Sequence, residues 1–215
     1  MEPAPGPCLA IEVLRYCPWV KDLHFVGTSL ADLRRFPAEA RREAGFQLDA
    51  VQRGLDPTDW KPLSTVGAGV REIRIHVLGE WRVIYVARFA DAAYVLHLLR
   101  EEEPQDSEGG SGLGARALQA TAMKKTVKVR GNLFLELGFP PEEAAVLKMR
   151  ADLMSDLREF IRDSKLAQAT VAQRLGISQS RVSDLVRGKW QEFNLEMLIT
   201  LAARAGHKVA LRVVA

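Results

Sequence analysis

Several features that define common protein classes are scarce in this chain of 215 residues. No apolar run approaches the length of about 18 residues that a membrane-spanning helix needs, and the first residues are acidic and proline-rich where a signal peptide would be basic and then apolar. We therefore expect a cytoplasmic protein without a membrane partner. The two cysteines, Cys8 and Cys17, lack metal-ligand spacing, which favours free thiols over a disulfide or a metal site.

The formal net charge of +3 is unevenly distributed along the chain. Residues 1–99 carry 12 Lys/Arg and 12 Asp/Glu, residues 100–122 carry 2 and 5, and residues 123–215 carry 16 and 10. The net charge of +6 in the last segment favours nucleic acid as its partner. The middle segment has few apolar residues and is predicted to be a linker, which as flexible coil would span roughly 26 Å.

Two kinds of periodicity occur in the first half. Apolar residues recur at helical spacing over residues 29–55, and Pro37 separates a short first helix from a longer second one. Enrichment in β-branched and aromatic residues then predicts three antiparallel strands at 70–77, 81–89 and 93–99. The predicted fold is α+β, with a helical hairpin on an antiparallel sheet.

The second half is predicted to be mainly helical. It opens with a possible short strand in "TVKV", and Pro140 followed by Pro141 and two glutamates predicts the start of a helix. The sequence "HKVALRVV" predicts a terminal strand. We divide the chain into an N-terminal extension (1–20), a first domain (21–99), a linker (100–122) and a second domain (123–215).

The most specific local pattern lies in residues 168–188. Ala172 is small where two helices cross, and Gly176 follows where a tight turn requires a positive φ. The buried side of the second helix is formed by Ile177, Val182 and Leu185. This spacing indicates a helix-turn-helix rather than a helical hairpin with a solvated polar face.

The polar side of residues 179–187 is then free to enter a major groove. Amide and guanidinium groups can pair with base edges, whereas Gln168, Lys165 and Lys189 are better suited to phosphates. The predicted DNA-binding residues are Gln168, Gln179, Ser180, Arg181, Ser183, Arg187 and Lys189.

This stretch resembles the Xre/Cro family of repressors and, more closely, HigA-like antitoxins of host-inhibition-of-growth toxin-antitoxin pairs. The resemblance covers roughly residues 132–214, including "NLFLELGFPPEEAAVLKMRADLM", which looks like the leader that such antitoxins carry ahead of their DNA-binding helices. It implies a homodimer that binds a palindromic operator.

Residues 21–97 resemble the phage-derived branch of the RelE/HigB toxin superfamily. The matching pieces are "LHFVGTSLADLRRFPAEARREAGFQLDAVQRG", "KPLSTVGAGVREI", "WRVIYVARF" and "YVLH", in family order. The resemblance implies a small α+β domain that cuts mRNA in the ribosomal A site, by attack of a ribose 2′-hydroxyl on the neighbouring phosphate. Ribosome and mRNA would be its partners, and this chemistry requires no metal or cofactor.

Such cleavage needs cations around the phosphate and groups that move protons. Arg82 in "WRVIY" matches the phosphate-contacting arginine of the superfamily, and Arg74 resembles the second basic position on the preceding strand. Tyr85 lies beside them in the predicted sheet, while Lys61 and His97 are weaker candidates. The plainer interpretation is that the basic groups are solvated, that Tyr85 belongs to the core and that His97 is an edge residue.

The resemblance to toxins ends at Leu98. Toxins of this branch continue with a phenylalanine, paired lysines and a basic helix, whereas this chain reads "LLREEEPQDSE". We hypothesise a frameshift: if residues 99–103 are encoded CTT CGA GAA GAA GAA, the neighbouring frame reads Phe-Glu-Lys-Lys, close to the tail expected of a toxin. The shift would have fused a toxin through Met123 to the antitoxin downstream.

Three functions fit these observations. The first is a fused toxin-antitoxin protein, in which the antitoxin half neutralises an attenuated mRNA interferase and represses its own promoter. The second is an active or proteolytically released interferase. The third is a transcription regulator whose first half is a non-catalytic ligand-sensing or dimerisation domain. The sequence leaves open whether the protein is an enzyme, and whether its halves pair within one chain or between chains.

Overall fold

The computed structural model describes residues 20–89, 92–101, 126–129 and 131–209. Most of the predicted N-terminal extension and linker, together with Met123 and residues 210–214 of the predicted terminal strand, lie outside the described residues. Within these ranges the chain has no helix that is both long and apolar enough to cross a membrane.

The described residues form a six-stranded sheet that runs through both halves of the chain. Its strands are β1 (Asp22–Val26), β2 (Trp60–Pro62), β3 (Val70–His76), β4 (Glu80–Val86), β5 (Ala92–Glu101) and β6 (Thr126–Val129). The spatial order is β2-β3-β4-β5-β1-β6, and the neighbours are antiparallel except for the parallel pair β1 and β5. The strand β6 therefore extends the sheet of the first half from beyond the predicted linker.

The α+β fold is confirmed, with two strands, β1 and β2, in addition to the predicted ones. Helices α1 (Ser29–Arg34) and α2 (Ala38–Gln52) are separated at Pro37, whose fixed φ of −50° suits the residue that precedes a helix. Strand β1 was not predicted, although its alternating burial is typical of a strand. Strand β5 continues past its predicted end into the acidic segment, where the Arg100 guanidinium lies 5.3 Å from the centre of the Trp81 ring.

The second half is helical after β6. Its helices are α3 (Leu133–Glu136), α4 (Pro141–Ser164), α5 (Gln168–Leu175), α6 (Gln179–Arg187) and α7 (Leu195–Ala205), with a short 3-10 turn at Trp190–Glu192. Helix α4 begins with the predicted proline and two glutamates in its first turn, where negative charge stabilises the helix dipole.

The buried apolar residues form two clusters whose boundary lies inside α4. The first cluster joins the sheet, α1 and α2 to residues from α3 and the start of α4, including Phe134, Leu137 and Ala151. The second cluster begins at Met154 and joins the rest of α4 to α5, α6 and α7. The core of the first half is therefore completed by side chains from the second half.

Candidate functional site

One face of the sheet gathers charged residues from three neighbouring strands and from β5. Arg74 lies directly opposite Arg82 in the pairing of β3 and β4, Lys61 lies opposite Glu72, and His97 lies opposite Ile84. Because side chains alternate along a strand, these residues share the face that points away from α1 and α2. We call this surface the basic face, formed by Lys61, Glu72, Arg74, His76, Arg82 and His97.

Carboxylates hold the cations of the basic face in place. Glu72 is only 4% exposed, and its Oε1 accepts a hydrogen bond from Nη1 of Arg82 and lies 3.7 Å from Nζ of Lys61. Arg74 Nη2 lies 2.9 Å from Oδ1 of Asp59. The like charges of Arg74 and Arg82 can therefore stand opposite each other, because each has its own carboxylate. Sequence reasoning did not identify Glu72, although it lies two residues before Arg74 on β3 and therefore on the same face of the sheet.

His76 adds a further proton-binding group to this face. Its Nδ1 lies 2.6 Å from Oε2 of Glu80, and its Nε2 lies 2.9 Å from Oδ2 of Asp59. Hydrogen bonds to Glu80 and then to Asp59 raise the pKa of His76 above its ordinary value. The imidazolium form is thereby favoured, so His76 can act as a cation or a proton donor beside Arg74.

Tyr85 is on the opposite face from Arg82. It stands between the core residues of β4, is 1% exposed and belongs to the first apolar cluster. Burial raises the pKa of its hydroxyl, an effect that the nearby Arg71 partly offsets. The structure thus brings together Lys61, Arg74, Arg82 and His97 but does not place Tyr85 with them. Within the described ranges, no three His, Cys, Asp or Glu side chains are grouped so that they could hold a metal ion.

Helices α5 and α6 form the predicted helix-turn-helix. Gly176 ends α5 with a φ of +64°, and a Cβ at this position would lie 2.8 Å from Nη1 of Arg204. Ser178 caps α6 by accepting a hydrogen bond from the backbone N–H of Arg181. The two residues predicted to face inward on α6, Val182 and Leu185, are completely buried.

The N-terminal end of α6 is the open end of the recognition helix. Gln179 and Ser180 are exposed there, as is Arg187 at the other end, while Ser183 is half-buried. Gln168 is also exposed, at the start of α5. Two of the other predicted DNA contacts already have partners in the chain. Arg181 Nη1 donates to Oε2 of Glu192 at 2.9 Å, and Lys189 Nζ lies 2.9 Å from Oδ1 of Asp184. The hydrogen bond from Lys189 lowers the pKa of Asp184.

The other end of α6 is packed against the first half of the chain. Thr58 donates to the carbonyl oxygen of Arg187 at 2.9 Å, and Arg158 links the carbonyl oxygens of Val186 and Asp56. In the turn that follows, Trp190 stacks on Phe46 with 4.1 Å between ring centroids. Trp190 and Gln191 also donate hydrogen bonds to Oε2 of Glu43, a buried carboxylate of the first half.

Charged residues also join α2 to α4. The side chain of Arg53 is 8% exposed and pairs with Asp49 at 3.0 Å and with Asp152 of α4. Burial opposes the charge of Arg53, but these carboxylates and Asp156 keep its pKa raised. A second link is formed by Arg42, whose Nε lies 2.8 Å from Oε1 of Glu143.

Comparison with models of known protein families finds one match in each half of the chain. Residues 31–100 match the family model described as phage-derived protein Gp49-like, and residues 133–214 match the model of a helix-turn-helix domain. No curated protein matches the chain. The chain thus combines a domain of a phage-derived, RelE/HigB-like toxin family with a DNA-binding region, which supports a toxin-antitoxin-like fusion.

Proposed function

We propose that the protein is a fusion of the HigBA type, in which residues 123–215 neutralise a RelE-like mRNA interferase formed by residues 21–99 and bind operator DNA as an autorepressor. The observation that carries this proposal is the apolar cluster shared by both halves. An inhibitor that supplies a strand and buried core residues cannot leave without exposing apolar surface, which is unfavourable in water.

Shape complementarity at α2 supports tight pairing within one chain. Gly45 has no side chain where the Phe134 ring approaches, and a Cβ there would lie 2.6 Å from Cε1 of that ring. Phe46 and Phe139 also lie around Phe134, with centroid distances of 5.2 and 6.3 Å. A glycine in a helix interior is unfavourable by about 1 kcal/mol relative to alanine. Its presence is explained by the close approach of the second half.

The basic face provides the groups that cleavage of RNA requires. In our proposal Arg82, Arg74 and Lys61 hold the phosphate and neutralise its developing charge, while His97 transfers a proton. Glu72 positions Arg82 through their hydrogen bond. The second half packs on the α2 side of the sheet, so the basic face lies on the other side. Neutralisation would then result from the bulk of the antitoxin half, which would exclude the domain from the ribosome.

At DNA, we propose that two chains bind a palindromic operator, with Gln179 and Ser180 reaching the bases. The open end of α6 carries these residues, and N-terminal residues of recognition helices are the ones that contact base edges. Because the opposite end of α6 contacts the first half, the toxin half would lie away from the bases.

A regulator whose first half binds a ligand is a second candidate function. A cavity beside Tyr85, lined by both charged and apolar residues, favours it. The released-interferase alternative has less support, because cutting the linker would leave the shared apolar cluster intact.

The test is a growth assay in a bacterial host with the full chain and with residues 1–101, which end where β5 ends. We expect the full chain to be harmless and the fragment to slow growth. Arg82→Ala should abolish this effect, whereas Arg35→Ala, which changes an exposed arginine just after α1, should not. Normal growth with a soluble, folded fragment would contradict the interferase. Binding of the full chain to its promoter DNA in a gel-shift assay tests the repressor separately.

A further inference from the structure

A cavity of about 250 Å³ opens at the C-terminal end of α2, on the helix side of the sheet. Its lining includes Lys21, Asp56, Arg71, Tyr85 and Arg88. Arg71 lies directly opposite Tyr85 in the pairing of β3 and β4. This pair is three positions from the Arg74–Arg82 pair, and an odd separation puts it on the other face of the sheet. The cavity and the basic face are therefore on opposite sides of the same sheet.

The cavity has more positive than negative charge in its walls. Three cations, Lys21, Arg71 and Arg88, face one carboxylate, Asp56. Arg71 Nη1 lies 3.2 Å from Oδ1 of Asp56. The other two cations contact neutral groups: Lys21 Nζ donates to the carbonyl oxygen of Ala87 at 2.8 Å, and Arg88 Nη1 reaches that of Ala68 at 3.5 Å. The formal excess of two positive charges is available to an anion.

The hydroxyl of Tyr85 provides a second, independent sign of a ligand. It is buried at the cavity wall, where the Arg71 guanidinium lies close to it but can only donate, and no acceptor for the Tyr85 O–H lies within hydrogen-bond distance among the described residues. A buried donor without an acceptor is unfavourable, and such groups are rare in folded proteins. An oxygen atom of a bound anion would supply the missing acceptor, with the nearby guanidinium of Arg71 balancing its charge.

We propose that this cavity binds one phosphate group carried by a molecule no larger than a mononucleotide. Tyr85 donates its hydroxyl proton to one phosphate oxygen, and Arg71, Arg88 and Lys21 neutralise the charge. A phosphate monoester carries a charge close to −2 at neutral pH, which matches the excess in the walls better than a carboxylate does. Guanidinium groups also pair well with phosphate oxygens because both have several atoms in matching positions. The volume is small for a drug-sized ligand, which limits what the phosphate can carry.

The experiment is isothermal titration calorimetry of the full chain with inorganic phosphate and with adenosine monophosphate, at constant ionic strength. Both should bind, and Arg88→Gln should weaken binding about tenfold or more, as expected for loss of a hydrogen bond to a charged group. Asp56→Asn should strengthen binding because it removes the opposing negative charge. Arg35→Gln, a change of an exposed arginine just after α1, should have no effect.

Tyr85→Phe separates a ligand-binding role from a structural one. It should weaken phosphate binding severalfold while the thermal unfolding midpoint of the ligand-free protein stays the same or rises, because an unsatisfied hydroxyl is removed. Absence of phosphate binding, or binding that is unchanged in both Arg88→Gln and Tyr85→Phe, would overturn the proposal. Tighter binding of a ten-nucleotide RNA than of adenosine monophosphate, abolished by Tyr85→Phe, would overturn its assignment to a small molecule. None of these outcomes depends on mRNA cleavage.

Discussion

Replacing Phe134 with alanine should destabilise the first half of the chain, although the residue belongs to the second half. Phe134 is completely buried in the first apolar cluster, beside Gly45 and Phe46. Truncation of a buried phenylalanine costs about 3–5 kcal/mol through lost burial and the cavity that remains. Since a domain is typically stable by about 5–15 kcal/mol, this loss would be a large fraction of the total.

The measurement is amide hydrogen exchange followed residue by residue, because two apolar clusters need not unfold together. Phe134→Ala should increase exchange in α2, at amides such as those of Leu48 and Val51. The matched control is Leu135→Ala on the same short helix, whose side chain is 45% exposed. A surface truncation of this kind should change stability by no more than about 0.5 kcal/mol.

The reasoning would be refuted by unchanged exchange in α2 of the Phe134→Ala variant, with faster exchange confined to α4 and the helices after it. That result would mean that the two halves are stable independently and merely adjacent. It would remove the main support for neutralisation within one chain.

Three further predictions concern other parts of the molecule. Gln179→Ala should weaken binding to operator DNA about 5- to 150-fold, corresponding to about 1–3 kcal/mol for a lost base contact, and equal weakening on unrelated DNA in gel-shift titrations would contradict a base-reading role. The raised pKa of His76 should add stability that is fully present below its unfolded pKa and is lost as the pH rises through its folded pKa. His76→Gln should therefore destabilise the protein in urea titrations at pH 6 but not at pH 9, and an NMR titration giving a native pKa of 6.5 or less would disprove the shift. The gene should encode Glu101 and Glu102 as GAA, because only these codons give paired lysines in the neighbouring frame, and GAG at either position would rule out the proposed frameshift.

Local sequence patterns correctly predicted features whose conformation is determined by residues close together in the sequence, such as helix ends and turns. Pro37 marks the break between α1 and α2, and Gly176 marks the turn of the helix-turn-helix. Both signals come from backbone restrictions of a single residue type, which act regardless of what the rest of the chain does.

Contacts between distant segments were not predictable in this way. A short strand was expected at residues 126–129, but its sequence does not indicate that it pairs with β1. The Asp22–Lys128 ion pair between these strands joins residues that are 106 positions apart. The basic face was predicted in part because its residue types fit phosphate chemistry. Tyr85 was grouped with Arg82, although an odd separation along one strand puts the two side chains on opposite faces.

Helix α4 has a consequence for how long each half survives in a cell. Its 24 residues, about 36 Å of continuous helix, begin in one apolar cluster and end in the other. A protease that nicks the chain within residues 102–122 leaves two polypeptides that stay together. A protease that unfolds the uncut chain from either end disrupts both apolar clusters when it unfolds α4, because this helix contributes residues to each. Under the proposed function, the two halves of the uncut chain would therefore be degraded together.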